Sequence, residues 1–328
     1  MIEKILEVKN LKTYFHTFKG TVKAVDGVDF TLNKGQTLGI VGESGGGKSV
    51  TGFSLIRLID EPGEIVEGEI IFDGKNMMDY SENEMGKIRG KEIAMIFQDP
   101  MTSLNPLFTI GEQIDEMLHL HTDLNENERR VRSCELLQSV GIPNGNERLN
   151  NYPHQLSGGM RQRVIIAISM AANPKLIIAD EPTTALDVTI QAQILRLLKK
   201  LVQEDNKSMI LITHDLAVVS EMTDNIIVMY CGRIVEQGKT YDIINSSYHP
   251  YTRGLLSSIP RFSSDKKRLD TISGIVPNMF DLPEGCKFAP RCRYKTEKCE
   301  SEEPAKLEVT PGHWAACHYP LTGGENHA

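Results

Sequence analysis

The alternation of apolar and polar residues divides the first part of the chain into strands and helices. Alternation of apolar and polar residues over Glu3–Phe15 and Val22–Leu32 predicts two strands of an antiparallel layer. Shorter runs predict further, more buried strands at Gln36–Val41, Glu69–Asp73, Ile93–Phe97, Leu176–Ala179 and Met209–Thr213. Tyr230-Cys231-Gly232 joins two more runs in a predicted hairpin, Ile226–Met229 and Arg233–Glu236.

Apolar residues three or four positions apart predict helices between these strands. They fall at Ser49–Ile59, Ile110–Leu120, Glu126–Val140, Ser157–Met170 and Thr189–Glu204. Strands that alternate with helices in this way indicate an α/β core.

The composition changes after about Ser247. Little periodicity remains there, and prolines recur at Pro250, Pro260, Pro277, Pro283, Pro290, Pro304, Pro311 and Pro320. A segment this irregular is a poor candidate for a hydrophobic core of its own. We therefore predict a main domain over residues 1–250 and an extension over residues 251–328.

Charge and composition exclude several classes of protein. The chain has 328 residues and a net charge of −8, which predicts no strong attraction to nucleic acid. The first ten residues, MIEKILEVKN, do not have the pattern of a secretory signal. The longest apolar stretches are shorter than the roughly 18–20 residues of a membrane helix. We expect a soluble chain whose membrane role, if it has one, comes through a partner.

A glycine-rich loop with the pattern GxxxxGK[ST] follows the predicted strand Gln36–Val41 and precedes a predicted helix. The loop comprises Gly42, Glu43, Ser44, Gly45, Gly46, Gly47, Lys48 and Ser49. Between a strand and a helix, backbone N–H groups and the helix N-terminus bind phosphates. We expect Lys48 to contact the β- and γ-phosphates of a nucleotide and Ser49 to ligate Mg²⁺.

Four further polar residues follow predicted strands. Asp180 and Glu181 follow Leu176–Ala179, where Asp180 can hold Mg²⁺ and Glu181 can polarise an attacking water. An acidic helix cap is the alternative for this pair. His214 follows Met209–Thr213 and can contact the γ-phosphate, although a lone histidine there is more often structural. Gln98 can contact metal or water through its amide, and alone it would be an ordinary surface residue.

The string Leu156-Ser157-Gly158-Gly159-Met160 precedes the helix Ser157–Met170. Ser157 is a good helix N-cap, and the two glycines expose backbone N–H groups that bind anions. A well-capped helix without any ligand is the alternative.

In this order the motifs resemble those of ABC (ATP-binding cassette) ATPases, over residues 1 to about 250. The resemblance implies an α/β P-loop NTPase cassette with a mixed core sheet, an antiparallel β layer and a helical subdomain at about 99–172. It also implies that Glu181 is the catalytic glutamate, His214 the switch histidine and Gln98 the Q-loop residue, which also reaches Mg²⁺.

The resemblance further implies a dimer of cassettes that close head to tail. Each ATP then lies between the glycine loop of one chain and Ser157, Gly158, Gly159 and Asp187 of the other, with Asp187 in a D-loop of Ala185-Leu186-Asp187. Val50 extends the loop's ATP contacts. An aromatic residue, Phe15 or Tyr14, stacks on adenine, and the choice between them is open.

The last part of the chain narrows the resemblance. His249-Pro250-Tyr251-Thr252 and the segment from Gly285 to Cys292 resemble the tails of ATPase subunits from bacterial dipeptide and oligopeptide importers, most of all the dipeptide importers. Gln98-Asp99-Pro100 and Ser103-Leu104-Asn105-Pro106 are typical of the same group. Nickel-importer ATPases have similar cassettes, so nickel is the alternative cargo.

Four cysteines cluster in this tail: Cys286, Cys292, Cys299 and Cys317. Four thiolates suit a [4Fe–4S] cluster or zinc. The tight pairs of most structural zinc sites are absent, and the importer resemblance also favours the cluster. His249, His313 and His318 are alternative ligands.

We therefore expect an ATP-hydrolysing, energy-coupling translocase subunit, peripheral to the cytoplasmic face of the cell membrane. The expected partners are two permease subunits, a second and different ABC ATPase chain, and indirectly an extracytoplasmic peptide-binding protein. A homodimer of this chain is the alternative to a pair of different ATPase chains. A soluble ABC ATPase that acts on nucleic acid or ribosomes is the rival class; the single cassette and the acidic balance disfavour it.

Overall fold

The structure, a computed structural model, describes residues 3–184, 186–258 and 272–321. Within these ranges the strands are β1 (Lys4–Thr17), β2 (Gly20–Asn33), β3 (Thr37–Val41), β4 (Gly63–Phe72), β5 (Lys75–Asn76), β6 (Ile93–Ile96), β7 (Leu176–Asp180), β8 (Ser208–Thr213), β9 (Asn225–Tyr230), β10 (Arg233–Lys239), β11 (Leu307–Thr310) and β12 (His313–Ala315).

The helices of the same ranges are α1 (Lys48–Leu55), α2 (Glu82–Ile88), α3 (Pro100–Ser103), α4 (Ile110–His121), α5 (Glu126–Ser139), α6 (Gly145–Arg148), α7 (Gly158–Met170), α8 (Val188–Glu204), α9 (Leu216–Met222), α10 (Thr240–Asn245), α11 (Pro250–Ser257) and α12 (Glu297–Ser301). None of these helices is both long and apolar enough to span a bilayer.

The chain divides into two compact units. The first unit comprises Asn33–Gln36 and Asp79–Ile210, with the start of the chain. The second comprises Leu6–Leu32, Thr37–Met78 and the chain from Leu211 onward. The tail and the glycine loop therefore share a unit, and the boundary near residue 250 stays a prediction.

The first unit combines a buried parallel strand pair with a group of helices. β6 and β7 pair from Ile93 opposite Leu176 to Ile96 opposite Ala179. α4, α5 and α7 pack on one another. Thr109 and Asn125 begin α4 and α5 with capping boxes, which satisfy the first N–H groups of these helices.

The second unit contains two sets of paired strands. The order in the first set is β2-β1-β4-β5. In the second set, neighbouring strands follow the order β11-β12-β10-β9-β3, in which β3 runs parallel to β9 and the other pairs are antiparallel. The short strands β11 and β12 of the tail thus add to a sheet that earlier strands form. This pairing gives the tail, which is predicted to lack a hydrophobic core of its own, a partner in the main part of the chain.

Candidate functional site

The glycine loop joins β3 to α1 in the second unit, as the sequence predicts. Gly42 has φ 153° and Gly47 has φ 92°, a region that glycine enters without a steric penalty. A Cβ atom on Gly47 would lie 2.1 Å from the Ala24 carbonyl oxygen, and one on Gly42 would lie 2.2 Å from the Met229 carbonyl oxygen. No other residue fits these two positions.

Hydrogen bonds close the loop around the Glu43 carbonyl. It accepts from the Gly46 N–H (3.2 Å) and from the Lys48 ammonium (2.9 Å). The Gly46 carbonyl in turn accepts from the Gly232 N–H (3.0 Å) in the β9–β10 turn. Lys48 is 5% exposed, so its charge is held inside the loop.

The outer rim of the loop is open. Ser44 and Gly45 are exposed, and a Cβ on Gly45 would meet nothing within 4 Å. Ser49 and Val50 lie half-buried in the first turn of α1. Loop N–H groups, an ammonium and a hydroxyl thus surround the start of a helix, which is an arrangement that binds phosphates.

The two adenine candidates lie side by side on β1. The Tyr14 hydroxyl donates to Asp26 Oδ1 (2.6 Å), and the Lys23 ammonium lies 5.6 Å from its ring centroid. Burial and the Asp26 hydrogen bond raise the pKa of Tyr14 to about 12. The Phe15 ring packs against Gly63, where a Cβ atom would lie only 2.6 Å from the ring. Both residues stay candidates.

The acidic pair of the first unit lies where β7 ends. Asp180 is 1% exposed and is the last residue of the strand. Glu181 follows with φ 44°, a backbone conformation uncommon for a residue with a side chain. Its Oε2 accepts from Gln98 Nε2 (3.1 Å) and from the Thr184 hydroxyl (2.7 Å). Gln98 and Glu181 are thus brought together, and the helix-cap alternative does not describe this arrangement.

His214 lies in the second unit, between β8 and α9, and its side chain is exposed. The next residue, Asp215, is the N-cap of α9 and accepts from the N–H groups of Ala217 and Val218. The end of the strand therefore presents the imidazole to solvent, not to the core.

The LSGGM string forms the start of α7 in the first unit. Ser157 is the N-cap and accepts from the Met160 N–H (3.4 Å), and Ser157 and Gly158 are exposed. A Cβ on Gly159 would lie 2.7 Å from Cγ2 of Ile190 in α8. Asp187 caps α8 by accepting from the Ile190 N–H (3.0 Å). The two stretches predicted to contact a partner's nucleotide are therefore neighbours, while Ala185 lies outside the described residues.

The four cysteines of the tail line one small cavity. The Cys286 N–H donates to the Cys299 carbonyl (2.8 Å), and a Cβ on Gly285 would lie 2.4 Å from the same oxygen. Burial raises the pKa values of Cys286 and Cys292, and raises that of Cys317 to about 11. In the described part of the chain no group of three or more His, Cys, Asp or Glu side chains converges to hold a single metal ion.

The three histidines named as alternative ligands have other partners. His313 Nε2 lies 2.8 Å from Oε1 of Glu236, a carboxylate with 0% exposure. His249 caps α11 by accepting from the Tyr251 N–H (3.1 Å), and burial lowers its pKa to about 4. His318 Nε2 lies 3.0 Å from the Glu302 carbonyl. These bonds explain their presence without a metal, although His249 and His318 also line the cysteine cavity.

Sequence reasoning missed the contacts of Glu43. Its carboxylate pairs with Arg291, and its N–H donates to the hydroxyl of Tyr251 (2.8 Å). Arg291 and Tyr251 stand in the quoted tail motifs, but no local pattern links them to the loop, because 248 residues separate Glu43 from Arg291.

Many known proteins resemble this chain in sequence and fold. The ABC transporter family model matches residues 25–184, and the model "Oligopeptide/dipeptide transporter, C-terminal region" matches residues 235–299. The oligopeptide transport ATP-binding protein AppD of Bacillus subtilis is 52% identical over 95% of this chain and 96% of its own length. The dipeptide transport ATP-binding protein DppD of Escherichia coli is 49% identical over 97% of both chains.

A solved structure supports the same fold. The ATP-binding cassette MJ0796, in a dimeric post-hydrolysis state bound to ADP and Pi, aligns with a TM-score of 0.65 and 32% identity over 72% of this chain and 98% of its own. The chain therefore belongs to the ATP-binding subunits of ABC transporters, in the oligopeptide and dipeptide transporter family.

Proposed function

We propose that this protein hydrolyses ATP as the energy-coupling subunit of a membrane importer for dipeptides and oligopeptides. The observation that carries the proposal is a phosphate-binding loop of the required geometry in a chain that matches both transporter models. The relatives named for oligopeptide and dipeptide transport support the cargo class.

The proposed chemistry assigns a role to each motif. Lys48 and the loop N–H groups bind the β- and γ-phosphates, and Phe15 or Tyr14 stacks on adenine. Ser49, Asp180 and Gln98 have the oxygen donors that Mg²⁺ prefers, and the ion would neutralise phosphate charge when bound. Glu181 accepts a proton from the attacking water. His214 orients the γ-phosphate.

The proposed assembly explains the exposed start of α7. Ser157, Gly158, Gly159 and Asp187 contact the nucleotide of a second, different ATPase chain in a head-to-tail dimer. Residues 99–172 transmit its closure to two permease subunits at the cytoplasmic face of the membrane, and a peptide-binding protein delivers the cargo from outside.

Peptide-dependent turnover tests the cargo. In membranes that contain the complete importer, we expect a saturating dipeptide with its binding protein to raise ATP turnover at least about threefold, and Ni²⁺ to leave it unchanged. Stimulation is expected because closure of the cassettes is coupled to the loaded binding protein. Phosphate release is the measurement. Stimulation by Ni²⁺ alone would show that the cargo is nickel. Turnover that neither ligand changes would indicate a soluble ATPase that is not coupled to import.

We extend the proposal to the tail, whose four cysteines would hold a [4Fe–4S] cluster, with zinc as the alternative. The cysteine spacing lacks the tight pairs that most structural zinc sites have. Each iron of a cluster takes one thiolate, and the four cysteines line one cavity. Ligand binding would stabilise a segment with little secondary structure, because metal affinity becomes folding free energy.

Metal content tests this assignment. Protein purified without oxygen is expected to contain about four irons and four sulfides per chain and to absorb visible light. Cys286→Ser is expected to lose most of the iron, whereas Cys134→Ser, a change in α5 of the first unit, should keep it. Iron and sulfide analysis and the visible spectrum are the measurements. About one zinc per chain without iron would replace the cluster with a structural zinc site.

A further inference from the structure

Glu43 of the glycine loop contacts two residues of the tail region. Its backbone N–H donates to the Tyr251 hydroxyl (2.8 Å). Its two carboxylate oxygens each accept from one nitrogen of the Arg291 guanidinium, with Nη2 3.0 Å from Oε1. A paired fork of this kind fixes geometry as well as charge. The loop that binds phosphates is thus held from outside its own sequence.

The Arg291 side chain is itself held in place. It is 4% exposed, and its Nε donates to the Ser273 carbonyl (3.2 Å). Nη1 donates to the Tyr230 hydroxyl (3.3 Å), and the guanidinium lies 5.8 Å from the Tyr230 ring and 6.0 Å from the Phe288 ring. These contacts therefore fix the position of the guanidinium.

The fold of the cysteine segment sets this position. Arg291 ends a short turn that runs from Ala289. The Ala289 N–H donates to the Cys286 carbonyl (2.9 Å), and the Cys292 N–H donates to the Ala289 carbonyl (3.2 Å). Arg291 thus stands between two cysteines of the cavity and cannot keep its place if that segment unfolds.

We infer that Arg291 is a positioning residue for the glycine loop, through which the four-cysteine segment sets the protein's affinity for ATP. The inference rests on the proposed binding of ATP phosphates at this loop. Arg291 holds the loop in its phosphate-binding shape and compensates the Glu43 carboxylate, which would otherwise repel the polyphosphate. Loss of the cysteine segment's fold removes both effects.

Binding of a fluorescent ATP analogue to the full chain tests the inference. Arg291→Met is expected to weaken binding about tenfold, within the usual range for coupled sites. Arg293→Met is the matched control, because Arg293 belongs to the same segment, is exposed and lies over the Tyr294 ring. Its affinity should equal that of the parent chain. Equal affinities for parent and Arg291→Met would overturn the inference.

Two double variants separate positioning from general damage. Glu43→Gln in the Arg291→Met chain removes the uncompensated carboxylate, so it should recover part of the lost affinity. Cys292→Ser should weaken binding in the parent chain but add less than about twofold in the Arg291→Met chain, because both changes act through one contact. Additive losses would show that the cysteine segment acts by another route and would overturn the inference.

Folding is checked for each variant by circular dichroism and iron content. If Arg291→Met does not fold, Arg291→Lys takes its place: it keeps the charge but loses the fork, and a loss of about threefold is expected, against none for Arg293→Lys. Because these assays measure binding without turnover or transport, their failure is distinct from failure of the proposed function. A parent chain that binds no ATP would contradict the proposed function itself.

Discussion

Replacing Glu181 by glutamine is expected to lower ATP turnover about 10³-fold while leaving ATP affinity within about threefold, as for the loss of a general base. Glutamine keeps the shape of the side chain, and its oxygen can still accept from Gln98 and the Thr184 hydroxyl, which bond Glu181 at 3.1 and 2.7 Å. It cannot accept a proton from water. The dimer should therefore accumulate in its ATP-bound form.

Phosphate release, equilibrium ATP binding and gel filtration with ATP measure these three effects. Glu116→Gln, a change at an exposed position of α4, is the matched control and should behave as the parent chain. A Glu181→Gln protein that kept more than about a tenth of its turnover would show that another group activates the water.

Ser157→Arg is expected to lower ATP turnover in the assembled dimer at least about a hundredfold. The isolated chain is expected to bind ATP as before. Ser157 and Gly158 are exposed at the start of α7, so a long cationic side chain there would block a partner's nucleotide without filling space inside this chain. The change also removes an N-cap, which costs about 1 kcal/mol of helix stability.

Asn125→Arg controls for the lost cap. It places the same side chain at the start of α5, where the N-cap also accepts from the third residue of its helix. We expect that variant to lose a similar amount of thermal stability and to retain turnover. If Ser157→Arg weakened ATP binding in the isolated chain, Ser157 would act on its own chain's nucleotide and the trans assignment would be wrong.

Features that depend on neighbouring residues were predictable from the sequence. The glycine loop lies between β3 and α1 because an apolar run precedes it and Lys48 begins a helix. The start of α7 at Gly158, capped by Ser157, follows from the hydroxyl before an apolar helix. Gln98 is different, because local chemistry alone would make it a surface residue. Only the resemblance implied its place beside Glu181, to which its amide donates (3.1 Å).

Boundaries set by distant contacts were not predictable. The helix predicted to reach Ile59 ends at Leu55, and Arg57 turns into φ 51° with its guanidinium bound to the Met77 carbonyl (3.0 Å). β4 begins at Gly63, six residues before the predicted Glu69, because β1 pairs with it. Its exposed glutamates hide the strand pattern, and they pair with lysines of β1: Lys9 with Glu69 (3.1 Å) and Lys12 with Glu67 (2.6 Å).

The tail escaped prediction for the same reason. β11 and β12 have four and three residues, too few for a recognisable alternation. β12 exists because β10 offers it a ladder, with Glu236 opposite Ala315. The cysteines marked the segment as a ligand site, but its contact with Glu43 depends on tertiary structure alone.

The order of synthesis gives the Glu43–Arg291 pair a further meaning. A ribosome makes the glycine loop early and Arg291 248 residues later. At roughly 5–20 residues per second, tens of seconds pass between synthesis of the loop and synthesis of the arginine that binds Glu43. His313, the partner of Glu236, is likewise made 77 residues after it. Under the role that we infer for Arg291, high-affinity nucleotide binding therefore begins only after the ribosome has made the segment that contains Arg291.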